Sequence, residues 1–180
     1  MQDEQEYINN LLNSKTQNQA FQQLLQEYQR PLYNHIRNIV LNHDDADDIL
    51  QNTFIKIFQN LKNFKGDSKL FSWMYRIATN EALTFLKQKS KINTVSSEIL
   101  QSKTIDNLEA DVFFDGNEIQ LKLQKAIALL PEKQQLVFKM KYFEELKYEE
   151  ISAILGTSVG GLKASYHLAV KKIEAFVSTN

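Results

Sequence analysis

Four carboxylates crowd into the stretch HDDADDILQNTFIKIFQNL, from His43 to Leu61: Asp44, Asp45, Asp47 and Asp48. That many oxygen ligands, with His43 or His35 nearby, would suit a divalent cation. They equally suit a helix start, with Asp44 as N-cap and Asp45, Asp47 and Asp48 in the first turn, close to its exposed amides. A third use is a charged surface that another macromolecule reads. The metal reading is the weakest, because an ion site needs a second carboxylate set from another element and none is evident. His35, His43 and His167 fall on separate proposed elements, no cysteine is present, and GxGxxG, GxxxxGK[ST] and HExxH are all missing. The expectation is a protein that is not an enzyme and uses no metal or cofactor.

Two other stretches carry residues suited to nucleic acid. NFKGDSKLFSWMYRIATNEALTFLKQKSK combines a basic glycine loop with aromatic rings. Rings stack on unpaired bases while lysines and arginines hold the backbone. Trp73 and Tyr75 are the stacking candidates, Arg76, Lys87, Lys89 and Lys91 the phosphate contacts, and Asn80 a base or sugar contact. The plainer alternative is that either ring closes the core and the lysines form a solvated face. LKYEEISAILGTSVGGLKASYHLAVKKIE pairs a short helix with a longer one across a glycine turn, the grammar of a helix-turn-helix. Thr157, Ser158, Gly161, Lys163, Ser165 and His167 would face a major groove, which admits one helix. Gly160 and Gly161 each cost about 1 kcal/mol of helix propensity against alanine, consistent with close approach of the backbone to DNA. A plain helical hairpin is the alternative.

Helices must position all of these residues. Apolar residues recur at spacings of three and four over 17–41, where Pro31 either kinks one helix or opens a second. The same spacing predicts a helix over 45–59, with Ile49, Phe54, Ile57, Phe58 and Leu61 inward. Ser68 is the expected cap of a third helix reaching about Lys89. Its apolar stripe opposes a polar face holding Trp73, Arg76, Asn80, Thr84 and Lys87. Further helices are expected over 118–130, 132–142 and 147–155, and from a Ser158 cap to about 176, with Gly156 in a left-handed position. No alternating pattern suggests a strand. The reading is an all-α chain of two small helical domains, residues 1–91 and 118–180, joined by a linker at 92–117.

The net charge of -1 conceals how charge is distributed. Lys56 to Lys91 holds eight Lys or Arg against two acids, and Ile92 to Gln120 one Lys against six acids. From Leu121 onward nine Lys stand against six Glu. Two basic blocks separated by an acidic one set the local field a partner would meet. MQDEQEYINN shows no signal-peptide pattern and no apolar run reaches the length of a membrane span, so a cytoplasmic protein is expected.

Residues 30–91, from RPLYNHIRNIV through HDDADDILQNTFIKIF to FLKQKSK, resemble region 2 of bacterial sigma-70-family factors. LQKAIALLPEKQQLVFKMKYFEELKYEEISAILGTSVGGLKASYHLAVKKIEAF resembles their region 4. With a short link between the two regions, the chain is similar to the extracytoplasmic-function (ECF) group. That resemblance implies a factor that directs core RNA polymerase to promoters and assists their opening. It implies that Asp48, Gln51, Asn52, Ile55 and Lys56 meet the β′ clamp helices. Phe64, Lys65, Gly66, Lys69, Trp73, Arg76, Asn80 and Lys87 would engage the -10 element and its displaced single strand. Thr157, Ser158, Gly161, Lys163, Ser165, His167 and Lys171 would read the -35 duplex. The polymerase β flap and an anti-sigma factor, in many members membrane-attached, are the further implied partners. Ser165, Leu168 and Val170 stand where the family commonly has arginines, which implies a smaller electrostatic contribution from region 4. Leu168 and Val170 are alternatively contacts for the flap or an anti-sigma factor. Two other functions are a helix-turn-helix regulator that binds duplex DNA without polymerase, and a protein-interaction module without DNA binding.

Overall fold

The computed structural model describes residues 4–92 and 118–179, so the expected linker lies outside the described residues except at its first position. Every regular element among the described residues is helical. They are α1 (Glu4–Leu12), α2 (Gln17–Val40), α3 (His43–Asn60), a 3-10 turn (Leu61–Asn63), α4 (Leu70–Ile92), α5 (Glu118–Ala128), α6 (Glu132–Tyr142), α7 (Tyr148–Leu155) and α8 (Val159–Thr179).

Helix α2 runs unbroken through Pro31, which resolves the open choice at that residue. A mid-helix proline costs roughly 3 kcal/mol, because one hydrogen bond is lost and the ring crowds the preceding turn. Leu24, Leu32 and Ile36 lie on the same helix with no exposed surface. Each contributes about 1.5–3 kcal/mol by burial, so together they outweigh the break. The helix ends at Leu41, whose φ of 59° is left-handed and whose N–H donates to the Arg37 carbonyl at 2.9 Å.

Two caps differ from expectation. Asn42, not Asp44, caps α3: its side chain accepts the Asp45 N–H at 2.8 Å. Asp44 and Asp45 sit in the first turn instead, where their charge still favours the helix dipole. At the other site α4 begins at Leu70, one residue later than a Ser68 cap requires. The Leu70 N–H donates to the Glu4 carboxylate at 3.2 Å, so a residue of α1 meets one of the open amides of α4. Helix α1 was not foreseen. It anchors through buried Leu11 and through the Tyr7 hydroxyl, which donates to the Ala20 carbonyl.

Helices α2, α3 and α4 pack pairwise around Leu24, Leu32, Ile36, Ile57, Leu61 and Met74. Helices α5, α6 and α8 enclose Ile127, Phe138, Ala169 and Ile173. Phe138 stacks between Tyr142 and Tyr166, and the Gln135 amide donates to the Leu130 carbonyl at 2.8 Å. The two helical sets are not separate cores. Leu136, Val137, Met140, Leu146, Ile151, Ile154 and Leu162 join the buried cluster of α2–α4, with α7 lying against α4. No helix among the described residues is long and apolar enough to cross a membrane.

Candidate functional site

The acid-rich helix α3 divides cleanly. Ala46, Ile49, Leu50, Thr53, Phe54 and Ile57 are buried, whereas Asp48, Gln51, Asn52, Ile55 and Lys56 are all exposed along the opposite side. Ile55 is 54% exposed, an apolar residue set within a polar stripe. Phe58, expected inward, is 41% exposed and meets Phe21 edge-on. The aspartates do not converge. Asp45 pairs with Lys89 of α4, and Asp47 lies 3.5 Å from His43. Asp44 and Asp48 face outward. No group of three or more potential ligands is gathered to hold a metal among the described residues. Lys56 is tied to Glu81 of α4, which the pattern of α3 gave no means of foreseeing.

The second surface comprises the loop at 64–69 and the outer face of α4. Gly66 has a φ of 76°, a conformation that side chains strain to adopt. Lys65, Gly66 and Lys69 are exposed. Phe64 is not: it is 8% exposed and packs against Trp73, with ring centroids 5.2 Å apart. Trp73 is half-buried on that support. Arg76, Asn80, Thr84 and Lys87 follow it at helical spacing, all exposed, forming one stripe. For Tyr75 the alternative of core closure holds, because the ring is buried. It lies against Phe71 and His35, and burial pushes its hydroxyl pKa up. Lys89 is held by Asp45 over the Phe85 ring. The Arg76 guanidinium donates to the Ala153 carbonyl of α7, through Nε at 3.1 Å and through Nη2.

The third surface is the α7–α8 pair. Gly156 is left-handed, with φ 64°, and its N–H donates to the Ser152 carbonyl. Ser158 caps α8 as expected, its Oγ accepting the Gly161 N–H at 3.3 Å. A Cβ at Gly161 would sit 3.3 Å from that Oγ and 3.4 Å from Thr157 Cγ2, so this glycine keeps the cap uncrowded. Gly160 meets no such obstacle. Lys163, His167 and Lys171 are exposed on one side of α8, with Ser158 exposed at its start and Thr157 half-buried. Ser165 lies about 160° around the helix from His167 at 100° per residue, so it does not share that stripe. Lys163 and Lys141 both lie over the Tyr148 ring, at 5.7 and 5.3 Å. Leu168 is 49% exposed beside the basic stripe.

A region-2-like three-helix core, followed by a helix-turn-helix with a basic outer face, defines a class of promoter-recognition proteins. Residues 24–92 match the family Sigma-70 region 2, and residues 120–173 match Sigma-70, region 4. The chain is 30% identical over 165 residues to the RNA polymerase sigma-H factor of Pseudomonas aeruginosa, covering 86% of this chain and 84% of the relative. It is 28% identical over 157 residues to the ECF RNA polymerase sigma factor SigW of Bacillus subtilis, covering 82% and 83%. Against the ECF RNA polymerase sigma-E factor of Escherichia coli K12 the identity is 29% over 170 residues, covering 89% and 87%. Among solved structures, CnrH in complex with the cytosolic domain of CnrY shares the fold with a TM-score of 0.70 at 18% identity, covering 99% of this chain and 98% of that one. The sigma factor RpoE of Bartonella quintana, solved with the anti-sigma factor NepR, gives 0.66 at 18% identity, covering 89% and 98%. The chain belongs to the sigma-70 family of RNA polymerase sigma factors, within its extracytoplasmic-function group.

Proposed function

We infer that this protein joins core RNA polymerase, directs it to particular promoters and assists opening of the duplex. The observation that carries the reading is the matched order of region 2 and region 4 on one chain. In this reading residues 1–91 bind polymerase and the -10 element, 92–117 link, and 118–180 bind the -35 element. Asp48, Gln51, Asn52, Ile55 and Lys56 meet the β′ clamp helices, a role supported by their common exposure on α3. Trp73, Asn80 and Lys87 face the displaced strand, with Lys65, Gly66 and Lys69 along its backbone. Buried Phe64 acts by holding Trp73 in place rather than by touching DNA. Lys163, His167 and Lys171 face the -35 duplex with Thr157 and Ser158, while Ser165 and Gly161 serve the helix rather than the bases. Region 4 also meets the β flap. An anti-sigma factor belongs among the partners by likeness to the RpoE fold.

Reconstitution tests this. Added to core polymerase, the purified chain should support run-off transcription from a matched promoter that core alone does not transcribe. A chain that neither joins core nor shifts promoter DNA with it would end the sigma-factor reading. Binding of a palindromic duplex as a dimer without polymerase would replace it with an autonomous regulator.

A further inference from the structure

The turn between α6 and α7 rests on α2 and α4. His35 of α2 is fully buried there, with a hydrogen-bonding partner at each ring nitrogen. Nε2 lies 2.8 Å from Thr79 Oγ1, which also lies 2.7 Å from the Tyr75 carbonyl. Nδ1 lies 3.0 Å from both carboxylate oxygens of Glu144. The imidazole therefore joins α2 to α4 through one nitrogen and to the α6–α7 turn through the other. The Glu144 carboxylate also acts on buried Lys139 of α6, which offsets part of the cost of burying that ammonium. Glu145, next in the chain, has a φ of 54°, a left-handed backbone that a non-glycine residue adopts only when its surroundings impose it.

Two further contacts bind the same halves together. Arg76, a member of the α4 stripe, donates to the Ala153 carbonyl of α7. Leu41, left-handed at the end of α2, packs on buried Leu121 of α5. Beside Glu144 an open crevice of about 500 Å³, lined by Arg30, Asn34, Arg37, Tyr75 and Phe143, shows that the seam is not sealed.

We propose that the His35–Glu144 contact is an intramolecular latch. It holds the region 4 helices closed over region 2 and keeps Arg76 on a protein carbonyl instead of a DNA phosphate. The consequence for transcription rests on the sigma-factor reading; the latch itself does not. Opening exchanges the Ala153 carbonyl for solvent or DNA at Arg76 and parts the shared buried cluster between α2–α4 and the α6–α7 residues that join it.

The test uses the full chain, which has no native cysteine. Cysteines placed at exposed Gln59 and Glu174 carry a fluorescent donor and acceptor. The otherwise native chain should give one high-transfer population. Glu144→Ala should move the closed-to-open ratio about tenfold toward low transfer, in line with loss of one hydrogen bond. Glu144→Gln keeps an amide that can donate to or accept from Nδ1 and should stay largely closed. Circular dichroism should show native helix content in both variants, because Glu144 lies in a turn. An unchanged transfer distribution in Glu144→Ala, or low transfer in the native chain, overturns the latch. With core polymerase at limiting protein, Glu144→Ala should raise run-off severalfold. Opening without any such rise overturns its inhibitory role. Run-off absent from native and variant chains alike removes the sigma-factor reading and leaves the distance measurement to decide the latch.

Discussion

Asp48 shows how one residue type can serve two ends. It lies in the second turn of α3, where its charge still favours the helix dipole, yet it is exposed beside Gln51, Asn52, Ile55 and Lys56. An exposed substitution of this kind usually changes stability by no more than about 0.5 kcal/mol. Asp48→Lys should therefore leave the melting temperature nearly unchanged and weaken core polymerase binding about tenfold, or about 1.4 kcal/mol. Equal loss in both measurements would return Asp48 to a purely helical role. Asn80 permits a similarly clean separation on α4, since it is exposed. Asn80→Ala should reduce permanganate reactivity of the opened -10 region while core binding and melting stay native. Loss of core binding instead would count against its place at the displaced strand. Trp73 is a poorer probe, because its ring covers Phe64 and its removal disturbs packing as well as any stacking.

Among the helices, α6 holds the least expected residue. Lys139 is 5% exposed, and burial lowers its pKa from 10.5 to about 8, with the Glu144 carboxylate acting in the opposite direction. In the folded chain the ammonium loses its proton through about pH 8, whereas the unfolded chain keeps it to about 10.4. Between those limits the unfolded state binds more protons, so stability rises with pH. Above about pH 10 the half-buried phenols of Tyr7 and Tyr28, raised to about 12, act in the opposite sense. Denaturant unfolding should accordingly show a rise from pH 8 to about 10 that Lys139→Met abolishes. A slope that survives the substitution would show that another group carries it. Helix bounds were largely legible, because 3.6-residue periodicity marks each buried face. Caps were less so: Asn42 competed with four aspartates beside it, and Glu4 reaches α4 from a helix 66 residues away.

At the scale of the molecule, charge and closure matter together. The basic blocks around α4 and α8 lie on an almost neutral chain, so promoter affinity should depend on a few lysines rather than on overall attraction. Each phosphate neutralised contributes about 0.9 to the slope of log affinity against log salt. Lys171→Ala should lower that slope for the holoenzyme on promoter DNA by about that amount, and proportionally alike across promoter sequences. An unchanged slope would mean that Lys171 does not reach the backbone. Arg76 should contribute to the slope only in the open form, because the closed form engages it with Ala153.

The sequence by itself determined the all-α class, the helix-turn-helix with Gly156 and Ser158 at its joint, and the family, through residue pattern and motif order. It also determined the outward stripe of α3, because helical geometry separates Asp48, Gln51, Asn52, Ile55 and Lys56 from the buried rows. Only the tertiary structure decided which aromatic rings face out. Periodicity put Phe64, Trp73 and Tyr75 near the boundary of the core, and packing against α2 and α7 buried Tyr75 while Phe64 went beneath Trp73. Only the tertiary structure, likewise, could join His35 to Glu144 across 109 residues. No local signal specifies such a contact: it exists because the two sets of helices close over one apolar core, and that closure brings a buried imidazole and a turn carboxylate together.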